Sequence, residues 1–170
     1  MGAEAMIPYL AQLLDTTINN GTTPRDWKKA TVVPIHKGDD RSVVRNYRPV
    51  CLTSVVYKQM EHVIVGYIRQ VWEDRNWLYE GQHGFRPGYS CESQIIKVCQ
   101  DISDSLNEAA RLDAIIIDFS KAFYLVPHDR LVKKIAASGV DSRVVVWIRE
   151  FLIYLSQRVI VGRHYSEKLE

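Results

Sequence analysis

Apolar and polar positions along this chain change period several times, and each change marks an element. From Ala3 to Asn19 the apolar residues Met6, Leu10, Leu13, Leu14 and Ile18 recur at helical spacing. Pro8 moves the expected start of that helix toward Ile7, and Gly21 is its expected stop. Trp27 and the run Thr31 to Ile35 predict a strand, with Pro34 marking an edge or an irregularity. Gly38, Asp39 and Asp40 have turn chemistry, and Tyr47 to Leu52 reads as the returning strand of a projecting hairpin. Thr53 is placed to cap a long helix carrying Val56, Met60, Val63, Ile64, Tyr67, Ile68 and Val71 on one side. The stretch 73–87 reads as a loop anchored by Trp77, Tyr79 and Phe85. Ser90 then caps a second helix through Ile95, Ile96, Cys99, Ile102 and Leu106. After an apolar run, Pro127 and His128 open a short helix through Leu131 and Ile135 that Gly139 ends. Asp141 caps another helix with Val144, Val145, Ile148, Phe151 and Leu152. Gln157 to Val161 predicts a last strand, with Gly162 and Arg163 as its turn.

The segment from Leu112 to Arg130 is the most informative. Four apolar residues, Ala114 to Ile117, run unbroken into Asp118, so Asp113 to Asp118 is expected to be a buried interior strand. Asp118 would sit where that strand leaves the core. A carboxylate there is costly unless something cationic meets it. A divalent metal such as Mg²⁺, which prefers carboxylate oxygens and substrate phosphates, is one such partner. An aspartate that merely caps the turn after the strand is the alternative, and both readings stand on the residues alone.

A chain of 170 residues, 46% hydrophobic and 25% charged, suits one globular domain with a real core. No segment approaches the roughly 20 apolar residues of a membrane span, so no membrane association is expected. Residues 1–8 carry no basic region of a signal peptide, and an intracellular setting is expected, nuclear or cytoplasmic unresolved. Cys51, Cys91 and Cys99 are expected to be reduced, buried thiols. The histidines at 36, 62, 83 and 164 have no metal-ligand spacing. Net charge is only +2, yet Arg25, Lys28, Lys29, Lys37, Arg41, Arg45 and Arg48 crowd the stretch 25–48 against Asp26, Asp39 and Asp40. Such a stretch is either a charged hairpin edge that resists aggregation or a surface for phosphates.

The order of segments resembles the reverse transcriptases of non-LTR (LINE-type) retrotransposons. Four blocks carry the likeness: Trp27 to Gly38; Asn46 to Val50, with Leu52 to Ser54 and Lys58 to Glu61; Gln82 to Ser90; and Asp118 to Phe123 with Val126 to His128. The tail, with Gly139 to Trp147, Phe151, Leu152, Val161 and Gly162, fits the approach to a further block. The resemblance implies an α/β (mixed α+β) partial right-hand polymerase. Residues 1–112 would be fingers-like, with the basic hairpin and helices, and 113–170 an incomplete start of the palm with its first strand.

By that resemblance the chain takes part in RNA-directed DNA synthesis, with an RNA template, a DNA primer and dNTP as partners; no protein partner is expected. The family reaction is a two-metal nucleotidyl transfer. Asp118 would be the catalytic carboxylate and a ligand of two Mg²⁺ ions, and Phe119 would offer its backbone carbonyl to one of them. Phe123 matches the bulky position beneath the incoming sugar, where a ring would clash with a ribose 2′-hydroxyl. Lys37 and Arg48 match dNTP-binding positions that neutralise the triphosphate, a task that suits guanidinium. Gly84, Phe85, Arg86 and Gly88 match the template-contacting block, where glycines permit close approach and Arg86 supplies charge; a purely structural turn anchored by Phe85 is the alternative. His128, after Pro127, reads as a helix-start packing residue.

Two departures stand against the pattern. Tyr124 replaces the family's aspartate after the phenylalanine, and no later Ala-Asp-Asp strand follows within the 170 residues. The chain alone is therefore expected to be inactive as a polymerase. A non-catalytic nucleic-acid-binding protein derived from a retroelement, or a decayed copy without function, are the alternatives.

Overall fold

A computed structural model describes residues 3–119 and 122–169. Five helices and a four-stranded mixed sheet follow in the order α1 (Ala3–Asn20), β1 (Lys29–His36), β2 (Tyr47–Leu52), α2 (Val55–Asp74), α3 (Cys91–Asn107), α4 (His128–Ala137), α5 (Ser142–Leu152), β3 (Ser156–Val161) and β4 (His164–Tyr165). Among the described residues no helix is long and apolar enough to cross a membrane. The chain divides into two compact units, residues 1–66 with 128–170 and residues 67–127.

The first unit holds the sheet, in order β2-β1-β3-β4. The expected hairpin is present, with Val33 opposite Val50 and Ile35 opposite Arg48. β3 pairs in parallel with the other edge of β1 at the base of the hairpin, over Lys29–Val32, Thr31 against Arg158, so the ribbon extends beyond the sheet only from Val33 to Val50. Sequence periodicity marks β3 as a strand but carries no information about its partner, which lies over 120 residues upstream. Pro34 is tolerated in this interior strand opposite Pro49, itself on an edge strand.

The core of this unit is built on Trp27, Val32, Met60, Ile64, Ile135, Val144, Trp147 and Ile148. The Tyr57 ring stacks on Phe151 at 4.8 Å and meets Trp27 edge-on at 6.3 Å. Such ring pairs add about 0.5–1.5 kcal/mol each beyond their area burial. Burial pushes the Tyr57 phenol well above its usual range, and the adjacent Glu61 carboxyl is also raised by desolvation. α5 packs against α1 and α4. Its N-cap is Asp141, whose carboxylate accepts from the Arg143 amide at 2.8 Å. α1 starts at Ala3 rather than near Ile7: Pro8 lies inside it, and that early in the helix it removes only one backbone bond. The Lys58 amide donates to the Ser54 carbonyl at 3.1 Å, so α2 begins one residue later than a Thr53 cap would place it.

The second unit is different in kind. α3 is capped as expected, with Ser90 and Ser93 exchanging side-chain and backbone hydrogen bonds in a capping box. None of its residues is buried, however, and Ile95, Ile96 and Leu106 are exposed. Residues 113–118 are not an interior strand. They form exposed coil, with Ile115 85%, Ile116 95% and Ile117 74% exposed. A strand exists only as part of a ladder, and among the described residues no strand pairs with this segment. The apolar run records what the segment is built to bury, not what it buries here. Trp77, Tyr79 and Phe85 are also exposed rather than anchoring their loop. The three cysteines are free, as expected, but exposed rather than buried.

Candidate nucleotide and nucleic-acid interface

The sheet positions Lys37 and Arg48 in the first unit. Arg48 lies opposite Ile35, and the Lys37 amide donates to the Asn46 carbonyl at 2.8 Å, which carries the register one step beyond β1. By strand alternation Lys37 and Arg48 therefore fall on one face of the hairpin, as diagonal neighbours within about 7–8 Å of each other. Both are exposed. Among the described residues neither forms an ion pair; the Lys37 ammonium reaches only the Arg45 carbonyl, at 3.5 Å.

The turn that carries them is well built. Asp40 accepts from the Ser42 amide and hydroxyl, both at 2.9 Å, which holds its carboxyl below the usual range. Asn46 donates to the Asp40 carbonyl at 2.8 Å, and the Tyr47 hydroxyl donates to the Arg41 carbonyl at 2.9 Å. Gly38 and Asp39 supply the positive φ values that the turn requires.

The remaining sequence-derived site residues lie in the second unit. Arg86 is the anchor of its loop, in place of Phe85. Its guanidinium binds Glu73 bidentately, at 3.0 and 2.7 Å, and its third nitrogen donates to the carbonyls of Tyr79 and Gln82. It also lies 4.7 Å over the Tyr89 ring, with its side chain only 11% exposed. Its donors are thus committed to internal partners. Gly88, at φ 79°, needs the left-handed backbone, and a Cβ built at Gly84 or Gly88 would meet open space. Phe85 is held out at φ 62° and meets Phe123 edge-on, centroids 6.4 Å apart. Asp118, Phe119 and Phe123 are exposed. Ser120 and Lys121, within the same block, lie outside the described residues.

The structure therefore brings Lys37 together with Arg48, and Phe85 together with Phe123. Among the described residues no group of three or more metal-ligating side chains assembles, and Asp118 lies in exposed coil. The residues present do not fit a two-ion Mg²⁺ centre by themselves. Sequence reasoning missed Glu73 as the partner of Arg86; an acidic residue on the last turn of an adjacent helix was the signal available. Replacing Arg86 with Ala should loosen residues 79–89, seen as faster amide exchange there. Arg86→Lys should not restore protection, since an ammonium cannot reproduce the fork.

A family description, Reverse transcriptase (RNA-dependent DNA polymerase), matches residues 35–169. The chain belongs to that family. It is 31% identical over 130 residues to a probable RNA-directed DNA polymerase from transposon BS of Drosophila melanogaster, a match covering 76% of this chain. It is 26% identical over 129 residues, 75% of the chain, to the RNA-directed DNA polymerase from mobile element jockey of the same fly. It is 30% identical over 138 residues, 79% of the chain, to a putative 115 kDa protein in the fly's type-1 retrotransposable element R1DM. The chain spans only 13–14% of the length of these relatives.

Proposed function

We propose that this chain is the fingers (residues 1–112) and the beginning of the palm (113–170) of an RNA-directed DNA polymerase of a LINE-type retrotransposon. It would act on a DNA primer, an RNA template and dNTP inside the cell. One observation carries the reading: the family match, which begins at residue 35, takes in the turn end of a hairpin that holds two cations, Lys37 and Arg48, as diagonal neighbours on an exposed face with no ion pair among the described residues. That is the arrangement a polyphosphate requires. Phe123 is the proposed sugar-sensing ring, and the open space at Gly84 and Gly88 leaves room for a template strand. Asp118 is the proposed catalytic carboxylate. With no ligand cluster around it among the described residues, it would be one member of a Mg²⁺ centre completed by other residues of the whole protein.

The test is RNA binding by the 170-residue chain. Binding should be sequence-tolerant and weaken steeply with salt, because it rests on phosphate contacts. Changing Lys37 and Arg48 together to Ala should lower affinity several-fold and reduce the salt slope by about one to two. Affinity that stays constant between low and high salt would contradict the reading.

A further inference from the structure

Phe85 adopts a backbone that its side chain disfavours. Its φ is 62°, in the left-handed region, where a bulky residue is an outlier. Burial does not offset that cost, because the residue is 78% exposed. Strain of this kind persists where the surroundings fix it, and it concentrates at functional sites.

The surroundings fix Phe85 from both sides. Before it, the Gly84 carbonyl accepts from the Gln82 side-chain amide at 3.3 Å. After it, the Arg86 guanidinium is forked onto Glu73 and donates to the carbonyls of Tyr79 and Gln82. The Tyr89 amide donates to the Arg86 carbonyl at 3.3 Å and closes the turn. With both neighbours held, the backbone sets the direction in which the Phe85 ring leaves the loop.

That direction ends at Phe123. The two rings meet edge-on, with centroids 6.4 Å apart and planes at 82°. Aromatic quadrupoles favour this T-shaped arrangement. Phe123 is itself 80% exposed, and among the described residues Phe85 is the one ring it meets. A ring that excludes a 2′-hydroxyl by collision works only while it stays in place. An exposed phenylalanine in water changes rotamer within nanoseconds. A second ring standing against it narrows that motion.

We propose that Phe85 is a positioning residue that holds the Phe123 ring in place and so sets how strongly deoxyribonucleotides are preferred over ribonucleotides. The proposal rests on the reading of Phe123 as the sugar-sensing ring. It gives the clamp of Arg86 on Glu73 a task in the nucleotide site, carried through the strained residue next to it.

Two measurements test it. In the first, the 170-residue chain carries para-fluorophenylalanine at its four phenylalanines, and fluorine NMR reports on each ring. Phe123→Leu assigns the Phe123 resonance. Phe85→Ala should shift that resonance and leave the resonance of Phe151, in the other unit, where it was. A Phe123 resonance that Phe85→Ala does not move would overturn the proposal, whatever the enzyme does.

The second measurement uses the chain continued to the full length typical of its relatives. It compares kcat/KM for dNTP with that for rNTP on a primed RNA template. Phe85→Ala should lower the preference for dNTP about twofold to tenfold, the effect of one aromatic pair. Turnover of dNTP should be retained, because the variant removes no group that touches it. Phe85→Tyr keeps a ring and should keep the preference. Phe85→Gly suits the left-handed backbone and relieves the strain, yet should lower the preference as Phe85→Ala does. Unchanged preference in Phe85→Ala and Phe85→Gly, with preference lost in Phe123→Ala, would overturn the proposal and leave the polymerase reading standing. Absence of synthesis by the long protein would overturn both.

Discussion

In D₂O, amides of residues 91–119 should exchange at close to unprotected rates, while those of β1 and the middle of α5 exchange slowest in the chain. The contrast should be orders of magnitude, because protection scales exponentially with the free energy of opening. β1 is hydrogen-bonded on both sides over Lys29–Val32, which includes the buried Val32, and α5 buries Val144, Trp147 and Ile148. No residue of α3 is buried, and a helix of 17 residues with so little packing is marginal in water. The Ser90 capping box contributes about 1 kcal/mol, which does not hold such a helix by itself. Ile115, Ile116, Phe119 and Phe123 add a run of exposed apolar surface, so the isolated chain should also associate as its concentration rises. Uniform slow exchange through residues 91–119, with one sharp thermal transition in a monodisperse monomer, would contradict this.

The elements of the first unit were legible because each bears a local signature. Asp141 and Gly139 bracket the α4–α5 turn, and the Gly38–Asp40 turn sets the hairpin register. The parallel pairing of β1 with β3 was not legible, since nothing local in Ser156–Val161 names a partner so far away. The reading of residues 113–118 failed for the converse reason. Apolar, β-branched composition describes a segment that needs burial on both faces, and burial depends on neighbours that the described residues do not place around it.

At the site, charge clustering and spacing identified Lys37 and Arg48, whose side-by-side presentation follows from the hairpin alone. Arg86 showed the limit of that approach. A guanidinium in a glycine-rich loop has the same sequence signature whether it waits for a phosphate or clamps Glu73.

The central claim is that Asp118 belongs to a polymerase centre, although no such centre assembles among the described residues. It is tested most directly by primer extension on a primed RNA template with Mg²⁺ and dNTP. Two proteins should be compared: the 170-residue chain, and the same chain continued to the full length typical of its relatives. The short chain should incorporate nothing, since no group of three or more metal-ligating side chains assembles among its described residues. The long protein should extend the primer. In it, Asp118→Asn should abolish synthesis, a loss of several orders of magnitude, because the amide keeps the shape and removes the charge. Tyr124→Asp should preserve or raise activity. Extension by the 170-residue chain itself, or undiminished synthesis by the long Asp118→Asn protein, would contradict the account.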